Sequence, residues 1–312
     1  MVPGHIDRQR GGVLLLILGV AAVIFLAALA KWAMLDTERK LGMQTAIGPA
    51  GPAPTALGTT FSKIDTALAN FVAQNRRLPC PADGAIAEGA VNAGVESPFP
   101  PTGVCNPANQ MRGIVPWVTL GISESDAAVP WFGRITYRVD PVLAGIAPLL
   151  MNMSNCDVSG TGSVAAGGAC RTPTPTCLAN PATCTSPTTF LNRKGLTVQD
   201  GNGIFLNNPV AVPGTGAAYV LISHGSTGAG AYNKSGTYQP GTPIQNPSPP
   251  PPALAAGTNE IPNLNNQALT GATIFMDAQH NSALTPAHFD DYLSHPTISS
   301  VLTKANLGPR VH

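Results

Sequence analysis

Charge is what this chain of 312 residues has least of: Asp, Glu, Lys and Arg together make up 11% of it, and the net charge is +1. A surface so sparse in charge carries no basic field to hold a phosphate backbone, which excludes nucleic acid as a partner. Aromatic residues are scarce too, at 5%. The sequence has no Cys-x-x-Cys pair, so a zinc ribbon is excluded. It has no Gly-x-Ser-x-Gly elbow either. The glycine doublets Gly214/Gly216 and Gly228/Gly230 do not open a helix within a βαβ unit, which removes a dinucleotide site. What the chain has instead is 33 glycines and 31 prolines. Both residues interrupt regular elements and fix tight bends, a composition that suits a turn-rich secreted or surface protein better than a cytosolic enzyme.

One long apolar run breaks this pattern. Residues 11–30 are twenty consecutive positions without a charge, amide or hydroxyl. At a helical rise of about 1.5 Å each they cover the roughly 30 Å of a bilayer's hydrocarbon core. A cleaved secretory signal has a shorter apolar region, about 7 to 15 residues. Lys31 and Trp32 close the run with a cation and an amphipathic ring, the pair found at headgroup depth. The expectation is a basic leader over 1–12 and a retained transmembrane helix with its polar extension over 13–47.

All six cysteines, Cys80, Cys105, Cys156, Cys170, Cys177 and Cys184, follow that run. An even number on one side of a membrane predicts disulfides in an oxidising compartment. Local pairing joins Cys80 to Cys105 and makes two bridges among the other four, whose partners the spacing leaves open. Orientation follows from the same cysteines. Arg8 and Arg10 before the run against Lys31, Arg39 and Lys40 after it do not fix the topology by charge.

After the run, a Gly/Pro-rich stretch, 48–58, reads as a linker that stops any helix. Phe61, Ile64, Leu68, Phe71 and Val72 then recur at three- and four-residue spacing, predicting an amphipathic helix over 60–75 with Thr59 or Thr60 as its cap. Arg134, Thr136 and Arg138 alternate with Ile135, Tyr137 and Val139, the pattern of a half-buried strand. Residues 217–223 form an apolar run expected as a buried strand, ending in His224-Gly225. Two insertions interrupt the body: 152–187, with four cysteines, and 240–258, whose proline-rich part, 240–252, is expected as an exposed loop or linker. Segments 273–276 and 289–293 are expected to pair as edge strands, and 298–305 to form a helical turn. The fold class is α+β: an N-terminal transmembrane helix, then, over 59–312, an amphipathic helix packed on an antiparallel sheet with long disulfide-tied loops.

Candidate chemistry is sparse. Ser223, His224 and Asp290 or Asp291 offer triad residue types, but a Ser beside its own His in a strand points to the opposite face from it. No catalytic residue is assigned. His280, His288 and His295 are irregularly spaced, with only Asp290 and Asp291 near them, so no metal site and no cofactor is expected. Asp200-Gly201-Asn202-Gly203 reads as a turn, since it lacks the further acidic ligands of a calcium loop.

Several segments, in order, resemble the type IV pilins and type II secretion pseudopilins. Arg10-Gly11-Gly12 before the apolar run is similar to a prepilin leader. Asn75-Arg76-Arg77-Leu78-Pro79-Cys80-Pro81 resembles the NGRLPCP segment of pilin-like proteins. The segments 115–121, 131–139, 221–225 and 289–293 resemble later parts of the same family. The resemblance implies a minor, pilin-like structural subunit at the bacterial inner membrane, its body in the periplasm. It implies cleavage after Gly12, with methylation of Val13, or alternatively cleavage after Gly11. The partners implied are prepilin peptidase and other pilin or pseudopilin subunits, with assembly through the apolar helix. One departure is the family's glutamate five residues into the mature chain, replaced here by Ile17, or by Leu16 with the other cut. A membrane-anchored binding or adhesion module that does not polymerise is the alternative reading.

Overall fold

Leu57, Phe61, Ile64, Leu68 and Val72 fall on one stripe and are all buried, and that stripe defines helix α1 (Pro54–Asn75). The computed structural model describes residues 54–98, 103–129, 133–145, 151–161, 170, 174–244, 255–264 and 273–311, nearly all within one unit, Ala56–His312. The helix starts inside the stretch expected as a linker, because Pro54 in a first turn has no needed N–H to lose. It ends where Arg76 turns to a positive φ of 57° and its N–H bonds to the Val72 carbonyl at 2.8 Å.

The next elements are α2 (Pro107–Arg112), α3 (Trp117–Leu120), strands β1 (Gly133–Arg134) and β2 (Thr136–Val139), α4 (Pro141–Ala144), α5 (Pro175–Ala179) and α6 (Pro187–Leu191). Four of these short helices share one start signal. Asn106, Asp140, Thr174 and Ser186 each accept a backbone N–H of the first turn, and each is followed by a proline. Then come β3 (Thr197–Gln199), β4 (Phe205–Asn207), β5 (Tyr219–Ser223), β6 (Tyr232–Asn233), β7 (Thr242–Pro243), β8 (Ala255–Ala256), β9 (Ile274–Met276), β10 (Tyr292–Ser294) and α7 (Ile298–Lys304).

Strand β5 is the centre. It runs antiparallel between β10 and β2 in a three-stranded sheet and is buried at every position. Alternation splits its side chains: Tyr219 and Leu221 join the α1 stripe, while Val220 and Ile222 join Leu196, Val198, Phe275, Phe289 and Leu293. Two of those partners, Val198 and Phe275, come from a second sheet, β4-β3-β9, in which β3 and β9 run parallel. Two further ribbons, β1/β6 and β7/β8, complete the strands among the described residues, the latter also parallel. Burial on both faces explains why 217–223 reads as an uninterrupted apolar run.

The expected fold class needs correction. Among the described residues no helix is long and apolar enough to cross a membrane, and the segment on which the transmembrane helix was expected, 13–47, lies outside them. The helix packed on antiparallel strands is present, but several small sheets with two parallel pairings replace a single antiparallel one. Strand β2 is buried on both faces rather than half-buried, because Arg138 and Thr136 find partners inside. Strands β9 and β10, from segments 273–276 and 289–293, are edge strands as expected, but of different sheets: β9 joins β3 and β10 joins β5. Three disulfides are formed, Cys80–Cys105, Cys156–Cys170 and Cys177–Cys184, and no cysteine is left free.

Candidate functional site

The turn after α1 is held by a buried ion pair. Arg77 reaches Glu96 with both terminal nitrogens at 2.8 Å, and the Cys80 N–H donates to the same carboxylate at 3.0 Å. The Leu78 N–H donates to the Leu143 carbonyl at 2.9 Å, and the Tyr137 hydroxyl donates to the Pro79 carbonyl at 3.1 Å. Upstream of β2, the Val115 N–H donates to the Ile135 carbonyl at 3.1 Å. Tyr137 pairs with Leu221 across the sheet, and Ser223 with Tyr292. Arg134, wholly buried, lies 5.1 Å over the Trp117 ring and bonds to Glu124 and to the carbonyls of Gly84 and Ile86.

Past the end of β5 the polar groups gather. His224 follows Ser223, and its Nδ1 lies 3.4 Å from Asp291 Oδ1 while its Nε2 is 2.9 Å from Thr136 Oγ1. Asn263 donates to Asp291 at 2.9 Å and to the Met276 carbonyl at 2.8 Å, joining the 255–264 segment to β9 and to the start of β10. Asp290 accepts from the Thr227 N–H at 2.9 Å and from the hydroxyls of Ser226 and Thr227, both at 3.2 Å. Glu260 accepts from the Gly257 N–H at 2.8 Å and from the Asp290 N–H. His288 lies beside them, its Nε2 3.9 Å from Glu260 Oε1 and 3.9 Å from Asp290 Oδ2. Burial pushes the Glu260 carboxyl up to about 9, reinforced by the charges of Asp291 and Asp290, and burial raises Asp291 as well.

Two glycines make this packing possible. Gly225 has φ +49° and a side chain there would run into the Asp290 carboxyl; Gly230 has φ +94° and would press on the His224 ring.

The comparisons with known proteins are negative. No family model, curated protein or solved structure matches the chain.

The expected site residues are dispersed. Gly11, Gly12 and Val13 lie outside the described residues. His224 meets Asp291 but not Ser223, whose buried hydroxyl has no partner and stands one residue away on an alternating strand. Thr136, His224 and Asp291 do form a hydroxyl–imidazole–carboxylate row, yet they are 4%, 2% and 5% exposed, which closes the row to a substrate. The three histidines do not converge: His280 stacks on Tyr292 at 5.7 Å and His295 Nε2 meets Asp277 at 3.1 Å. Asp200 accepts the N–H groups of Asn202 and Ile204 at 2.9 and 2.8 Å, the geometry of a turn. Glu260 and Asn263, which complete the polar cluster, carry no signal in the sequence: they follow the proline-rich insertion with no periodicity.

Proposed function

We propose that this chain is a minor pilin or pseudopilin-like structural subunit of a type IV pilus or type II secretion system. It is held at the inner membrane by its apolar N-terminal segment, with the folded body on the periplasmic side, and its role is structural rather than catalytic. One observation carries the reading. The separate segments that resemble the family are the ones that meet around the α1–sheet junction: Leu78 to Pro81 against Tyr137, Val115 against Ile135, Leu221 against Tyr137, and Ser223 against Tyr292. Scattered chance likenesses have no reason to converge. The three disulfides support an oxidising compartment for the body.

The test is mass spectrometry of the chain co-expressed with a prepilin peptidase. Loss of residues 1–12, or 1–11, with methylation of the new N-terminus is expected, and Gly11→Val with Gly12→Val abolishes it. An unchanged mass beside active peptidase removes the processed-subunit reading. Crosslinks from residues 13–30 to filament subunits separate an assembling subunit from an anchored binding or adhesion module, which gives none.

A further inference from the structure

The geometry points to a divalent transition-metal site formed by Glu260, His288 and Asp290, clamping the 255–264 segment to the lead-in of β10. This inference is independent of the pilin-like reading. The ligand atoms of the three residues lie within 4.8 Å of one another. His288 Nε2 is 3.9 Å from a carboxylate oxygen of each acid. That is too long for a hydrogen bond, whose donor and acceptor stand about 2.7 to 3.2 Å apart. It is within reach of a shared ion, since two atoms each bonded at about 2.0 to 2.2 Å are at most about 4.4 Å apart.

His288 supplies the second, separate observation. Its side chain is 3% exposed and neither ring nitrogen has a hydrogen-bond partner. A buried imidazole in that state lacks the partners its polar atoms need, and this one is aimed between two carboxylates. The acids are placed as ligands are placed. Glu260 is oriented by the Gly257 and Asp290 N–H groups, and Asp290 by Ser226 and Thr227. Both oxygens of Glu260 accept N–H bonds, which fixes the orientation of the carboxylate. The mixed nitrogen and oxygen donors select a zinc-like ion over calcium or magnesium, which take oxygen ligands alone.

The experiment uses the full chain without a polyhistidine tag, purified in mild detergent, stripped with EDTA and returned to chelator-free buffer. Zinc is added and the protein gel-filtered before elemental analysis. One zinc per chain is expected, lost in His288→Ala and in Glu260→Gln and kept in His280→Ala and His295→Ala. No retained zinc in the wild type, or equal retention in His288→Ala, overturns the inference. Cobalt loaded into the wild type covers the case in which a variant fails to fold. A visible ligand-field band that zinc bleaches is expected, and its absence overturns the site. Displacement of zinc by equimolar calcium overturns the transition-metal assignment.

Discussion

Tyr219 donates its hydroxyl to Asp65 over 2.8 Å, linking the middle of α1 to the central strand β5; Ser294 of β10 reaches the other carboxylate oxygen at 3.2 Å. Burial raises the Asp65 carboxyl above its ordinary value, and the two hydroxyls and Lys304 offset this only in part. A raised carboxyl holds its proton more firmly folded than unfolded. Its contribution therefore favours folding at low pH and declines as pH rises above the ordinary carboxylate value. Asp65→Asn removes the titration, so its stability relative to the wild type is expected to improve between about pH 4 and pH 7. Urea unfolding of both proteins across that range measures the gap, and a gap that does not change with pH counts against a raised Asp65.

The Arg77–Glu96 pair is nearly dry, with side chains 11% and 6% exposed. Removing one partner of such a pair leaves an uncompensated charge, and Arg77→Met is expected to cost about 3 to 5 kcal/mol. Replacing both, with Arg77→Met and Glu96→Leu, should cost clearly less than the two single changes added together. Denaturant unfolding of the four proteins of the cycle gives the coupling, and simple additivity argues that the pair is not coupled.

Much of the framework was legible in the sequence because it rests on periodicity. The α1 stripe follows from apolar spacing, the buried β5 from an unbroken apolar run, and the Cys80–Cys105 bridge from proximity along the chain. Strand β2 misled because its alternation is genuine while its polar side is buried: Arg138 donates to the Met111 carbonyl and lies 5.4 Å from the Phe275 ring, and Thr136 meets His224. Partners so distant along the chain leave no local trace. The same holds for Glu260 and His288, which tertiary folding alone brings together.

The three disulfides should differ in worth by the loops they close. Their separations are 25, 14 and 7 residues. On loop-closure entropy, removing them costs about 3.5, 3 and 2.4 kcal/mol respectively. The first two rank higher still over the third, since Cys80, Cys105, Cys156 and Cys170 sit in the main core and their loss also costs packing, whereas Cys177 and Cys184 lie outside it. Paired Cys→Ser variants compared by thermal unfolding should follow that order. A larger loss at Cys177/Cys184 than at Cys80/Cys105 would contradict it.

Glycines around the polar cluster offer a test with its own control. Gly225, Gly228 and Gly230 all hold positive φ, at +49°, +66° and +94°. Around Gly228 an added Cβ meets nothing within 4 Å, so Gly228→Ala carries only the left-handed backbone penalty, about 1 to 2 kcal/mol. At Gly230 the Cβ would lie 2.8 Å from His224 Cε1, and at Gly225 it would overlap the Asp290 carboxyl. Neither neighbour is free to swing away, because His224 is held by Thr136 and Asp291, and Asp290 by Ser226 and Thr227. Overpacking adds about 1 to 3 kcal/mol there. Gly225→Ala and Gly230→Ala should each lower the unfolding free energy more than Gly228→Ala does, measured by urea titration. Equal losses at all three positions would mean that backbone conformation alone, and not close approach to the cluster, requires these glycines.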